Sequence, residues 1–520
     1  MKKTSSYLSL TFQALLLSGV IILTRLPTYG FTDHINRSLE LIQQGQLDAA
    51  EKEARFALSS PATAALAWAV LGALRLQQKN YEESSQFLAK AVRLNPRLLG
   101  AWLNLGSAYA LQGKTERASE AFYKALKIDP GNGTAHFDLA KLEADRRNYG
   151  VSLEVAKPII TEMRHTDEGL LLLATDYLSL GQKESAQSLV TDWEGLTSIA
   201  QEVALKLGPL FVKNGLVQEA IKVLEKARSN GPDSFELDFD LAGCYLSAGD
   251  LKRASANYEA SLAFRDDCIV CLRKIAEIAE REGDSDKALA YLIRAKRAEP
   301  ENAAILFEFG KACLQRDLIE DALPVLQKAV ELEPGNPSYT YVLASAYIAK
   351  KEFKTAGELL DSLLKQRPDD AVLNYARGAL LFLEVNLVEA EKYLRKSISI
   401  DPNQLAAYYY LGLLDGKKGE NGEAILIFRD LVKRFPSHAP SHQALGTALF
   451  RERKYTEAQE ALEEAILLDP NSVASHYQLG MVLSRLGKQE ESSKHLEIAQ
   501  KLEADEKRKT NVELRILNPY

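Results

Sequence analysis

Cysteine is scarce in this chain: four stand in 520 residues, too few and too scattered for a disulfide framework. Cys268 and Cys271 form a lone C-x-x-C, and Cys244 and Cys313 stand apart from it inside expected helices. No second ligand pair is spaced to complete a zinc site with them. The sequence also lacks H-E-x-x-H, a Gly-rich phosphate loop, G-x-S-x-G and any carboxylate pair in a recognisable setting. These absences argue against a catalytic domain, a bound cofactor and a resident metal. Charge of one sign is missing too, because a net charge of −7 over 520 residues is small, which argues against a nucleic-acid partner. What remains, 46% apolar and 26% charged residues, is ordinary for a soluble protein.

The first thirty residues read differently from the rest. Lys2 and Lys3 precede an uncharged run from Tyr7 to Thr24, followed by Arg25, Leu26, Pro27, Thr28, Tyr29 and Gly30. A basic start, an apolar stretch and then Pro with small residues is the layout of a secretory signal. Thr28 and Gly30 are small enough to precede a cut after Gly30, although no A-x-A is present. The run is also nearly long enough to span a bilayer as an uncleaved anchor. Residues 1–30 are therefore expected to be a signal peptide or membrane anchor, and the mature chain to be exported, periplasmic or extracellular. The membrane enters only through this segment. No cysteine follows the run, which excludes lipid attachment at a lipobox.

From Phe31 onward one 34-residue unit can be laid down fourteen times, to Glu506, without insertion or deletion. Its most complete copy is Leu99–Asn132. There Trp102, Leu105, Gly106 and Tyr109 mark one amphipathic helix, and Ala118, Phe122 and Ala125 a second. The eighth place of the unit is small throughout, for example Gly72, Gly106, Ala140, Gly310 and Gly480. The twentieth place is small as well, from Ala50 and Ser84 to Ala458 and Ser492. Two such columns mark a close crossing of paired helices. Gly113, Gly181, Gly283 and others fill the turn between the helices, and Pro96, Pro130, Pro334 and others end the unit. One helix pair cannot bury its apolar face alone, so stacking of neighbours must do it.

The spacing W-x2-L-G-x2-Y followed by A, F, A and P is met in full by Trp102, Leu105, Gly106, Tyr109, Ala118, Phe122, Ala125 and Pro130. It resembles the tetratricopeptide repeat family over nearly all of residues 31–506. The resemblance implies an all-α fold, a right-handed α-solenoid of antiparallel helix pairs whose first helices line a concave groove. Departures cluster at 133–200, where Arg164 and Ser198 replace the terminal Pro, Ile159 and Trp193 replace a small residue, and Pro158 falls inside a second helix. A local irregularity, or a boundary between two better-formed arrays, is expected there. Residues 507–520 read as a polar tail or cap.

The resemblance also places the fifth residue of each unit on the concave side. Phe307, Tyr341, Tyr375 and Tyr409 hold that place in four successive units, with Leu314, Ile348 and Phe382 further along the same helices. Aligned by stacking, these seven residues would form an aromatic stripe suited to an extended or helical peptide. Packing between repeats is the competing explanation. A C-terminal carboxylate clamp of the kind some family members use is not expected, because the neighbours of Asn36 and Asn104 in the sixth place are Val70 and Asp138. His136, His442 and His476 share the place of Trp102 and read as packed substitutes for it. Cys268 and Cys271 leave three options open: an inert pair, a local disulfide, or a redox or metal role. The sequence thus points to a non-catalytic scaffold binding other proteins or peptide segments. The alternative is a subunit of a cell-envelope polysaccharide synthesis, export or assembly complex, recruiting glycosyltransferases or outer-membrane components.

Overall fold

The computed structural model describes residues 31–194 and 200–506, so the expected signal or anchor and the C-terminal tail lie outside the described residues. Among the described residues every regular element is helical. The pair Leu99–Leu111 and Thr115–Ile128 recurs as Ile269–Arg281 with Ser285–Ala298, Ala371–Leu383 with Leu387–Ile400, and so on through the chain. The fold is an α-solenoid of antiparallel helix pairs on a 34-residue repeat.

Each part of the unit has a local cause. Several first helices start at a residue whose side chain caps their free amides. The side chains of Asn132, Thr166, Ser234, Asn302, Asn336, Asp370 and Ser472 each accept a hydrogen bond from an N–H of the first turn. First helices stop at the fifteenth place of the unit. All fourteen residues with positive φ among the described residues stand there, one per unit. Eight are glycines, from Gly45 to Gly487, and the other six are Lys79, Arg147, Asp317, Lys351, Val385 and Arg453. A left-handed residue at this point turns the chain back so that the second helix can pack on the first. The conformation is thus obligatory even where glycine is absent.

The paired helices touch where small residues were expected. A Cβ added to Gly106 would lie 2.6 Å from Phe122 Cε1, and one on Gly310 would lie 2.5 Å from Leu326 Cγ. The hydroxyls of Ser84 and Ser492 donate across the same crossing to the carbonyls of Gly72 and Gly480, each at 2.8 Å. A tryptophan, asparagine or histidine in the fourth place performs a second recurring task. Trp102, His136, Asn374, His442 and His476 each direct a ring or amide nitrogen at the carbonyl of a proline six residues back, at 2.9 or 3.0 Å. A carbonyl only accepts, so each of these nitrogens carries the hydrogen. The histidines here occupy the position and the hydrogen bond of the tryptophan.

The described residues divide into two compact units, the first ending at Phe264 and the second beginning at Arg265. In the first, Leu71, Leu88, Phe122, Leu139 and Leu173 are fully buried. In the second, Leu326, Leu360, Tyr375, Leu394 and Phe428 are buried in successive core clusters. The division falls after Phe264, at the end of the seventh helix pair, and not in the irregular stretch at 133–200. That stretch is nonetheless irregular: its second helix is broken into Tyr149–Ala156, a 3-10 turn Lys157–Ile159 and the short turn Ile160–Met163. Pro158 lacks the amide that would continue the ladder, and its ring displaces the preceding turn.

Candidate functional site

The seven residues of the expected stripe all lie on first helices of the second unit: Ala303–Gln315, Pro337–Ala349, Ala371–Leu383 and Leu405–Lys418. They do not share one environment. Phe307, Tyr341, Phe382 and Tyr409 are half-buried. Leu314, Ile348 and Tyr375 are core residues, at 0%, 7% and 1% exposure, and cannot be offered to a partner without unpacking the fold. For these three the expectation of a surface position is corrected.

Leu314 and Ile348 belong to the packed cores of their helix pairs, and for Tyr375 the cause is a contact that recurs 35 residues apart. The fifth place of one unit rests against the sixth place of the next: Arg273 donates through Nε to Glu308 at 2.9 Å, and the rings of Tyr375 and Tyr410 meet edge-on at 5.8 Å. Tyr410 therefore closes over Tyr375. The equivalent neighbours after Phe307, Tyr341 and Tyr409 are Val342, Ala376 and Ala444, which are smaller and cover less. Burial and the adjoining tyrosines push the Tyr375 phenol well above its ordinary range, so it stays neutral.

A compact aromatic group replaces the linear stripe. Tyr410 contacts Phe382 at 5.6 Å and Tyr409 at 5.9 Å, both nearly perpendicular. Tyr409 reaches on to Phe428 and His438 at 6.0 and 5.7 Å. Lys417 places its ammonium 4.8 Å from the centre of the Phe382 ring. Towards the start of the unit Phe307 stacks on Tyr339 at 4.6 Å. Tyr339 and Tyr410 were not singled out from the sequence. The available signal was the bulk of the sixth place, where Tyr410 stands among smaller neighbours.

The same face changes character along the unit. On Ile269–Arg281 it is ionic: Lys274 pairs with Glu277 at 2.8 Å, and Lys311 of the next first helix reaches Glu280 at 3.0 Å. Partial exposure makes each of these pairs a weak contributor to stability. In the first unit the sixth place carries Asp138 and Asp240, whose carboxyls burial pushes up to about 6.

Groups with reactive potential are few. The thiols of Cys244 and Cys313 are buried, and desolvation pushes both up to about 12. Cys268 and Cys271 are joined as a disulfide. His476 and His495 stack with their Nδ1 atoms 2.9 Å apart. His476 Nε2 donates to the Pro470 carbonyl, so in the neutral ring its Nδ1 accepts from His495, and burial with the neighbouring ring holds His495 below the ordinary imidazole range. Among the described residues no group of three or more His, Cys, Asp or Glu is placed to hold a metal ion. Among them, too, no helix is long and apolar enough to cross a membrane.

Comparison with known proteins agrees with this architecture. Family models described as tetratricopeptide repeat match residues 35–98, 100–132, 205–267, 273–337 and 318–380. A model described as anaphase-promoting complex, cyclosome, subunit 3 matches 417–499. Superkiller protein 3 of Schizosaccharomyces pombe is 33% identical over 90 residues, covering 17% of this chain and 6% of that protein. Lipopolysaccharide assembly protein B of Escherichia coli K12 is 21% identical over 265 residues, covering 49% of this chain and 65% of that protein. Among solved structures, the APC/C hetero-tetramer Cut9–Hcn1 aligns with a TM-score of 0.40 at 15% identity, covering 88% of this chain and 98% of that one. The chain thus spans less than two thirds of the length of either relative.

Proposed function

From the premise that this chain belongs to the tetratricopeptide repeat family, we propose that it is a non-catalytic scaffold binding peptide segments or partner proteins on the first-helix face of its second unit. The observation that carries this reading is the half-exposed aromatic group of Phe382, Tyr409 and Tyr410, bordered by Lys417, with half-exposed Tyr341 on the preceding first helix. Rigid rings held by their neighbours offer large contact area at little entropic cost, and their hydroxyls satisfy a segment's polar groups. A photo-crosslinker at position 341 or 409 identifies the bound segment. Tyr341→Ala and Tyr409→Ala should each weaken its binding by ~1 kcal/mol, about fivefold, in isothermal titration. Unchanged affinity with retained helicity would remove this face as the site.

A second reading places the scaffold in a cell-envelope assembly, exported by or anchored through its N-terminal segment and recruiting glycosyltransferases or outer-membrane components. The apolar run Tyr7–Thr24 and the match to lipopolysaccharide assembly protein B support it. Mass-spectrometric identification of the mature N-terminus tests export, and a retained Met1 in a protein recovered from the soluble cytoplasm refutes it.

A further inference from the structure

An Asn, Thr, Ser or Asp side chain caps seven of the first helices, Leu98, Ala200, Gln404 and His438 leave theirs uncapped by a side chain, and one unit carries a sulfur at this place. Cys268 caps Ile269–Arg281, a helix of 13 residues, and its Sγ accepts from the Cys271 N–H at 3.2 Å. Cap geometry aims the side chain at the third residue of the helix, and here that residue is Cys271. The two sulfurs are bonded, with Cα atoms 5.3 Å apart. Their environments differ: Cys268 is partly exposed, whereas Cys271 is at 0% exposure beneath the first turn. The first turn carries no acidic side chain, while Asp266 and Asp267 precede Cys268 in the connecting turn and oppose the helix amides there, and Arg294 reaches the Asp266 carbonyl at 3.2 Å. A disulfide enclosing four residues within one turn restrains little of the unfolded chain, so its contribution to global stability is small.

The geometry points to Cys268–Cys271 as a thiol–disulfide exchange site, whose substrates are dithiols and disulfides that can reach Cys268. A helix N-terminus stabilises a thiolate through its free N–H groups and dipole, and a partly exposed sulfur there is the one an incoming group can attack. In the reductive direction one thiolate of a dithiol attacks Cys268 Sγ. The Cys268–Cys271 bond breaks, and Cys271 leaves with the electron pair and takes up a proton. The second thiolate of the dithiol then attacks its own sulfur in the mixed disulfide, releasing Cys268 as a thiolate held by the helix amides. The dithiol is oxidised by two electrons to its disulfide, and the protein pair is reduced by two electrons. The reverse sequence reduces a substrate disulfide.

The other cysteines make the test clean, because Cys244 and Cys313 are buried with thiols pushed up to about 12 and do not compete. The full chain is reduced with dithiothreitol while native, freed of reductant, and alkylated with iodoacetamide across a pH series, with the modified site read by mass spectrometry. Cys268 should alkylate first, with a midpoint at least one unit below the ordinary thiol value of about 8.5. Cys268→Ser keeps an oxygen cap and so the fold, as circular dichroism checks. It should lower reaction with iodoacetamide, and reduction of an insulin disulfide by dithiothreitol in the presence of the protein, by about tenfold or more. A Cys268 midpoint at or above the ordinary value overturns the assignment. So does a native disulfide that dithiothreitol reduces only under unfolding conditions, or a Cys268→Ser chain that exchanges as fast as the parent.

Discussion

Asp176 offers the sharpest test of how burial shapes this chain. It lies on Asp167–Ser179 at 0% exposure. Oδ2 accepts from the Ser152 hydroxyl at 2.6 Å, while buried Oδ1 has no hydrogen-bond partner. Desolvation outweighs the serine and pushes the carboxyl from 3.8 up to about 6. A folded-state value raised above the unfolded one means that stability is fully present below about pH 4 and lost as pH rises through about 6. At 1.36 kcal/mol per pH unit, the local loss is about 3 kcal/mol by neutral pH. Asp176→Asn removes the charge and keeps an acceptor for Ser152, although its amide N–H groups take the unpaired side at a cost of ~1 kcal/mol. The variant should therefore be more stable than the parent by ~2 kcal/mol at about pH 7.5 and no more stable at about pH 4.5. The difference between the two proteins cancels the titration of Asp138 and Asp240. Repeat arrays open locally, so the measurement is amide exchange in Tyr149–Ala156 and Asp167–Ser179, corrected for the intrinsic effect of pH. A parent–variant gap that stays constant across the range would refute the argument.

Two further substitutions probe the helix crossing and the turn. Gly106→Ala and Gly243→Ala gain the same helix propensity of ~1 kcal/mol, but only at Gly106 does the new Cβ meet a buried ring at 2.6 Å. At Gly243 the nearest atom is 3.9 Å away. Urea unfolding should show Gly243→Ala stabilised and Gly106→Ala destabilised by ~1 kcal/mol, and equal signs would contradict the crossing. Val385 is a β-branched residue at φ 63° with 61% exposure, so it is strained without being well buried. Val385→Gly should relieve ~1–2 kcal/mol of strain against ~1 kcal/mol of added chain entropy, leaving a net gain in thermal stability. A loss beyond ~1 kcal/mol would mean that the side chain contributes more than its exposure suggests.

Much of this architecture was legible because its causes are local. The terminal prolines and the small residues at Gly106 and Ala118 all act within one helix pair and repeat with it. The eight turn glycines were visible for the same reason. The six other left-handed residues, such as Lys79 and Val385, were not, since their side chains do not advertise a positive φ. Pro158 marked a break in its helix through its missing amide, whereas nothing in composition marked the division after Phe264.

The aromatic face shows where local reasoning ends. Phe307, Tyr341, Tyr375 and Tyr409 share one place in the repeat, and periodicity treats them as equals. Stacking separates them, because exposure depends on the residue 35 positions later, on another helix. Tyr410 buries Tyr375, and the smaller Val342, Ala376 and Ala444 leave the other three half-exposed. Cys268 follows the same rule. The sequence alone determined that a cysteine pair stands three residues apart at a repeat boundary. Tertiary structure decided that one sulfur caps a helix within reach of solvent while the other is sealed beneath it, because burial is a property of packed neighbours and not of spacing.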